Sequence, residues 1–501
     1  MRWLLRLPVA GLLCAWIGLA LWQPHRRLPP GEQIDGPWQS LQEGQPRFLR
    51  DLSSADATGA PFSDQQIDAE ILRMISQARE LIVIDTGLFG DLPAAGPGAP
   101  RLRSARPLAA TLTDALLKVR RERGVQELLL VDPSSLQLQP GAGPIERLRE
   151  AGAAVVAIDV DRLRAADAPF ASLWRLCCRW WAPASAMGDW PNPAHVGPAR
   201  ISFGLWGRLA DYQRSHRQLL IADDGSGGLS GLIFSRALNA EAAMHSATAL
   251  QLGGPVLSPL LESEFVLAQF SGWSGGGAMQ ALSQRLVERH EIGGVPALPP
   301  PGSARARVVS EAALSGALAR RIDAAGSHDN IEIAALYLSQ RNLVRALLEA
   351  ARRGAAVRVL IDPGKDGYGY ERTGLPNREV ASELVAASDG AVRVRWYRTH
   401  GEQFSAGLVM VRTATRCWLE VGTADLGRRD LDDFNLAAGF IADLPAGAPA
   451  SIDALSWFDT LWFNRAGGGT EYTSDVDVYA DASQLDYWQY RMFEAAGVSF
   501  D

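Results

Sequence analysis

His216 stands just ahead of an apolar run, Leu219 to Ala222, and Asp223 closes that run seven residues after the histidine. An imidazole can attack an electrophilic centre or relay a proton near neutral pH, and a carboxylate can hold its tautomer. Gln218 adds uncharged hydrogen-bonding capacity two residues on. Ser230 follows a Gly225-Ser-Gly-Gly228 turn at the head of a second apolar run, Leu229–Phe234. A later group comprises His400 with Glu402, then Ser405, Thr423 and Asp425. Other nucleophile signatures are missing: there is no Gly-x-Ser-x-Gly elbow, no Gly-x4-Gly-Lys-Ser/Thr loop and no His-Glu-x-x-His helix. The Gly225–Gly228 turn is no phosphate cradle, because no helix start comes after it. His245 and His328 stand without a constellation and read as structural.

These groups need strands to position them, and the chain writes the same strand-and-helix pattern twice. A helix Leu108–Arg123 is stopped by Gly124, and a strand Glu127–Val131 ends at Asp132-Pro133. A helix Leu343–Arg353 is stopped by Gly354, and a strand Val357–Ile361 ends at Asp362-Pro363. Both the Arg-Gly and the Asp-Pro pairs recur at an offset of 230. Helix, glycine, strand and Asp-Pro matching twice at one spacing argue for duplication, and alternating strands and helices argue for an α/β fold with mixed sheets flanked by helices. The boundaries are a first half at 29–292, a Pro/Gly linker at 293–303 and a second half at 304–501. A stretch at about 162–197 has no counterpart in the second half and carries Trp174, Trp180, Trp181 and Trp190 with Arg175 and Arg179. It reads either as an elaboration packed on the core or as an aromatic and basic surface for a membrane interface.

The stretch Ser215-His-Arg-Gln-Leu-Leu-Ile-Ala-Asp223 resembles the Asn-His-Arg-Lys-Leu-Leu-Val-Val-Asp segment of the phospholipase D superfamily, with Gln218 at the lysine position. Gly422-Thr-Ala-Asp425-Leu-Gly-Arg-Arg-Asp-Leu-Asp-Asp433-Phe-Asn-Leu436 resembles its Gly-Ser-Ala-Asn turn and the segment downstream of that turn, with Asp425 at the Asn position. The likeness covers most of residues 65–500 and is to a bacterial, membrane-anchored branch. It implies two fused halves about a pseudo-twofold, a histidine from each half, a phosphohistidine intermediate, and neither metal nor cofactor. Carried over, His216 is the nucleophile with Asp223 orienting it, and Gln218, Ser230, Ser405, Thr423 and Asp425 are phosphate or substrate contacts. Two registers compete for the second motif. One uses His400 with Glu402 at the lysine position. The other places Ser405 at the histidine position, Gly407 at the lysine and Arg412 at the aspartate. Strand phase favours the second, because a one-residue slip turns every side chain to the wrong face. His400 is then a loop-stabilising residue, a substrate contact or a rescuing general acid. Losing the lysines weakens phosphate binding, since a charge-assisted contact is worth about 1.5–3 kcal/mol against about 1 for a neutral one. The resemblance therefore implies weak or lost catalysis with retained phospholipid or partner binding. The alternative is an active phosphodiesterase or phosphatidyltransferase working through His216.

The 501 residues carry a net charge of −7, and no basic run is visible, which weighs against a nucleic-acid partner. Of the four cysteines, Cys14, Cys177, Cys178 and Cys417, none has metal spacing. A neighbouring pair rarely bridges itself, so buried thiols are expected, or a bridge from Cys417 to one of the pair if the body is exported. Residues 1–28 hold an apolar run from about Leu7 to Trp22 between Arg2, Arg6 and Arg26-Arg27. This reads as a signal peptide or a single anchor in a bacterial inner membrane, with the body outside the cytoplasm.

Overall fold

The computed structural model describes residues 2–41, 44–55, 61–92, 107–139, 143–194, 197–211, 213–291, 300, 302–367, 370–465, 470–480 and 483–496. The linker expected at 293–303 lies largely outside them.

Two large sheets form among the described residues, and they share one strand order. The first runs Arg47–Ala55, Ser246–Gly253, Leu229–Phe234, Leu219–Asp223, Leu81–Thr86, Gln126–Val131, Ala154–Ala157. The second runs Arg305–Ser310, Ala438–Pro445, Arg416–Gly422, Gly407–Arg412, Asn330–Ala335, Ala356–Ile361, Val392–Tyr397. In each, the last three strands are parallel and the remaining neighbours antiparallel. Pro61–Gln65 extends the first sheet, while Gln39–Ser40 and Thr473–Asp475 flank the second.

The period-2 alternation of these strands builds the layers. Leu219 and Ile221 join Leu408 and Met410 in a core shared by both sheets. Leu220 and Ala222 face the helices of the first half, and Val409 and Val411 those of the second. The result is helices, sheet, sheet, helices. Arg217 lies fully buried where the halves meet, with Nη1 donating to Glu264 at 2.9 Å and Nη2 to Glu311 at 3.1 Å.

The duplication reaches individual hydrogen bonds. Asp132 Oδ2 accepts from the Ser215 amide at 3.2 Å, and Asp362 Oδ2 accepts from the Phe404 amide at 2.8 Å. Each of these two acidic residues also accepts the amide two residues after it. The halves also exchange backbone: Ser215 bridges Leu436 in parallel, and Phe404 and Ser405 pair in parallel with Ser246 and Ala247.

The N-terminal helix docks on the body, and one expectation, the cysteine pairing, needs correction. The expected N-terminal spanning segment forms helix α1, Arg2–Trp22, yet among the described residues no helix is long and apolar enough to cross a membrane. Instead α1 docks on helix α2, Ala168–Cys177, of the Trp-rich stretch: Trp16 Nε1 donates to the Pro169 carbonyl at 2.8 Å, and Arg175 donates to Gln23 Oε1 at 2.6 Å. The cysteines pair differently. Cys177 and Cys178 are joined to each other, Cys417 is a buried free thiol, and Cys14 is an exposed one.

Candidate active-site cleft

Because each half contributes the segment leading into its Leu219- or Leu408-type strand, the two motifs come together at the seam between the sheets. A cleft of about 290 Å³ opens there and draws its lining from both halves, including His216, Gln218, Ser235 and His245 from the first and Ser405, Thr423, Asp425 and Asp430 from the second.

His216 is fixed at both ends. Its backbone amide donates to the Leu436 carbonyl at 2.8 Å, and its Nδ1 lies 2.9 Å from Asp430 Oδ2. Asp430 is 2 % exposed and is itself held: Oδ2 accepts from the Asp425 amide at 2.8 Å, and Oδ1 from Asn435 Nδ2 at 2.9 Å. Asp425 Oδ2 stands 3.9 Å from the same imidazole nitrogen. One imidazole nitrogen and two carboxylates thus converge at this point of the cleft. His216, Asp425 and Asp430 present three ligand atoms within 4.8 Å of one another, a geometry that could hold a cation. For a cation to bind, the imidazole–Asp430 hydrogen bond would have to give way.

The orienting role expected of Asp223 is corrected by this geometry. Its carboxylate is buried at the far end of the strand from His216 and accepts the Arg79, Glu80 and Leu81 amides at 2.7–3.0 Å. It closes a turn ahead of strand Leu81–Thr86. Ser230 is likewise distant from the cleft: it pairs with Ala222, next to Asp223, and its Oγ accepts from Gln251 at 3.0 Å. Ser235, at the other end of that strand, lines the cleft instead. Of the three readings of His400, its position is that of a loop residue. It does not line the cleft but sits in a loop with its Nδ1 3.6 Å from Glu402, and its amide donates to the same carboxylate at 3.0 Å.

Gln218, Ser405, Thr423 and Asp425 do reach the cleft. Gln218 Oε1 accepts from Thr86 Oγ1 at 2.7 Å, and Thr423 Oγ1 accepts from the Ala438 amide at 3.0 Å. Strand phase sets the second motif. Leu219 pairs with Asp85 and Leu408 with Ala334, so Ser405 stands where His216 does and Gly407 where Gln218 does. Gly407 has no room for a side chain, because a Cβ there would lie 2.3 Å from the Gly422 carbonyl oxygen. A lysine cannot be accommodated at that position without moving the backbone.

Sequence reasoning missed two residues. Asp430 belongs to the half that does not carry His216, and nothing local marks it. His245 reads as structural, yet its Nδ1 lies 3.1 Å from Ser405 Oγ and it lines the cleft. A signal existed: His245 precedes the strand Ser246–Gly253, which pairs with Ser405. Burial, with Arg236 and Arg372 nearby, pushes this imidazole down to about 3. It is therefore neutral at working pH and is no cationic proton donor.

The cleft also takes in arginines. Arg214, Arg372, Arg428 and Arg429 line it, while Arg236 is committed to Asp51 and Asp68. Arg428 donates to the Glu494 and Ala495 carbonyls, which brings the C-terminal helix Gln484–Ala496 to the cleft rim.

Residues 318–462 match the family of cardiolipin synthase, PLD-like domain. No curated protein matches in sequence. Among solved structures, phosphatidylserine synthase of Haemophilus influenzae is similar at a TM-score of 0.55 with 10 % identity, over 92 % of this chain and 95 % of that one. Yeast tyrosyl-DNA phosphodiesterase gives a TM-score of 0.41 at 8 % identity, over 79 % of this chain and 88 % of that one, too low to bear on the fold.

Proposed function

We propose that this chain is a member of the phospholipase D superfamily and binds the phosphodiester of a phospholipid headgroup in its seam cleft. Its two-histidine route to catalysis is reduced to a single competent imidazole. The two halves are read as related by a pseudo-twofold whose axis passes between the motifs, as the reciprocal Ser215–Leu436 and Phe404–Ser246 pairings suggest.

The observation that carries this reading is the pairing of His216 with Asp430 across the halves, beside a Ser405–His245 contact where a second reactive imidazole is expected. In superfamily chemistry one histidine attacks phosphorus and the other protonates the leaving alcohol. Here His216, oriented through Nδ1 by Asp430, is read in the first role. The opposite position offers only a serine hydroxyl, and the imidazole beside it is buried and neutral. Asp425 sets a carboxylate where a phosphoryl oxygen needs a donor, and like charges repel. The arginines at the cleft supply positive charge in its place, Arg372 among them acting on His245 beside Ser405. An acidic chain without a basic run suits a lipid headgroup better than a polynucleotide.

The retained His216–Asp430 pair favours a second reading, slow phosphodiester cleavage through a phosphohistidine. Labelled phosphatidylglycerol, phosphatidylcholine and cardiolipin, incubated with wild type and His216→Ala, test both readings. Saturable binding with equal product release supports the first. Release that depends on His216 supports the second, and no binding of any lipid overturns the proposal.

A further inference from the structure

Residues 162–197 and helix α1 come together on one side of the first half, and the surface they make is unlike the rest of the molecule. Among the described residues, 18 large hydrophobic side chains are exposed, and 11 of them lie on α1 or in this stretch. Val9, Leu12, Ile17 and Leu21 supply the helix side, and Trp180 and Trp181 are the most prominent aromatics of the other. Exposed apolar clusters of this kind mark interaction surfaces in soluble folds.

Charge says which partner. Residues 1–28 hold four arginines and no acid, and residues 162–197 hold four arginines against two aspartates. That is a net +6 on a chain whose total is −7, so the remaining residues carry −13. Arg164, Arg175 and Arg179 face Asp433, Asp211 and Asp161, so the arginines act here through the net positive field of the region rather than as individual lipid contacts. A tryptophan-bearing apolar face with that field on an otherwise acidic protein matches an anionic bilayer, where aromatic rings settle at headgroup depth.

The same stretch also reaches the cleft, since Pro193 and Ala194 line it next to Leu88 and Leu138. Leu138 and Ala194 belong with Ile201, Leu205 and Trp206 to a small apolar cluster behind that wall. Behind Trp190, Phe203 and Trp206 close the layer, with ring centroids 4.8 Å and 5.0 Å from the indole. The surface and the apolar wall of the cleft are thus two sides of one unit.

We infer that α1 and the Trp-rich stretch form a platform that docks on the surface of an anionic phospholipid bilayer, with α1 lying in the interface plane, and that this sets the apolar wall of the cleft against the lipid. The inference rests on the phospholipid reading of the cleft and adds how the lipid reaches it. An interfacial helix needs an apolar face and basic flanks but no spanning length. Leaving the bilayer, a lipid passes its headgroup toward His216 while its acyl chains keep to Pro193, Ala194, Leu88 and Leu138.

Flotation of the full chain with vesicles of phosphatidylglycerol and phosphatidylcholine, against phosphatidylcholine alone, tests the platform. The expected result is flotation that needs the anionic lipid, weakens with salt and falls about tenfold in Trp180→Ser/Trp181→Ser. Both tryptophans are exposed, so near-ultraviolet circular dichroism should show the variant folded. Cys14 is an exposed free thiol on α1 and Cys417 a buried one, so a nitroxide placed on Cys14 reports depth. A probe at the headgroup–acyl boundary supports the inference, whereas one at the bilayer centre overturns the in-plane geometry. Equal flotation of the variant also overturns it, as does a dimer that the two substitutions abolish without any flotation. Binding of short-chain, monomeric phosphatidylglycerol needs no bilayer. Its loss with flotation intact removes the cleft reading and leaves the platform standing; its retention with flotation absent does the reverse.

Discussion

His216 comes from the first half and Asp430 from the second, and their 2.9 Å contact ties the two motifs into one site. The carboxylate holding the imidazole also accepts the Asp425 amide and the Asn435 amide group, so it organises the Gly422–Asn435 segment as well as the ring. Asp430→Ala leaves those donors unsatisfied in a buried setting and should cost on the order of 3 kcal/mol. Urea unfolding of wild type and variant measures this. Asp430→Asn keeps an acceptor for one donor and should recover part of the loss.

Asp223 separates a structural from a chemical carboxylate. Asp223→Ala frees the Arg79, Glu80 and Leu81 amides and should lower stability by about 2 kcal/mol or more. Because the side chain is remote from the cleft, affinity for short-chain phosphatidylglycerol should stay within about twofold at a temperature where the variant is folded. A large loss of affinity in folded protein would return Asp223 to the site.

The buried charge at the seam offers a third measurement. Arg217 faces Glu264 and Glu311, and burial pushes Glu311 up to about 8. Arg217→Met strands two carboxylates in the interior and should destabilise by about 3–5 kcal/mol. Adding Glu264→Gln and Glu311→Gln should recover much of it, which a thermal-melting series would read.

Stability should also depend on pH in a stated direction. Glu420 lies in the second sheet, and burial pushes its carboxyl up to about 8. The folded state therefore keeps a proton that the unfolded chain gives up from about pH 4.5. That contribution is fully present below the unfolded value and is lost as pH rises through about 8. Asp362, raised to about 7 by burial, works in the same sense. Urea midpoints taken between about pH 5 and pH 9 should fall with pH, and Glu420→Gln should flatten the slope by up to about 1.4 kcal/mol per unit.

Much of this architecture was legible because it is local. The offset of 230 between Asp132-Pro133 and Asp362-Pro363 reflects two equivalent capping sites, and the alternation through Leu219–Ala222 and Leu408–Val411 gives the two-sided burial directly. Strand phase alone put Ser405 rather than His400 at the second position. The missed residues depend on contacts between distant segments. Asp430 meets a histidine 214 residues earlier, and His245 meets a serine 160 residues later. Asp223 misled because a carboxylate seven residues after a histidine lies at the opposite end of an extended strand, where it can cap a turn but cannot reach the ring. The docking of the N-terminal run was not legible because its partner, helix α2, is about 150 residues away.

Binding and turnover can be read in one sample: calorimetric titration of short-chain phosphatidylglycerol into the protein, then assay of released glycerol. A cleft that binds without efficient chemistry should give saturable binding that weakens in Arg372→Glu, with glycerol release no faster from wild type than from His216→Ala. Rapid release by wild type that vanishes in His216→Ala, together with acid-labile phosphate on residue 216, would contradict it.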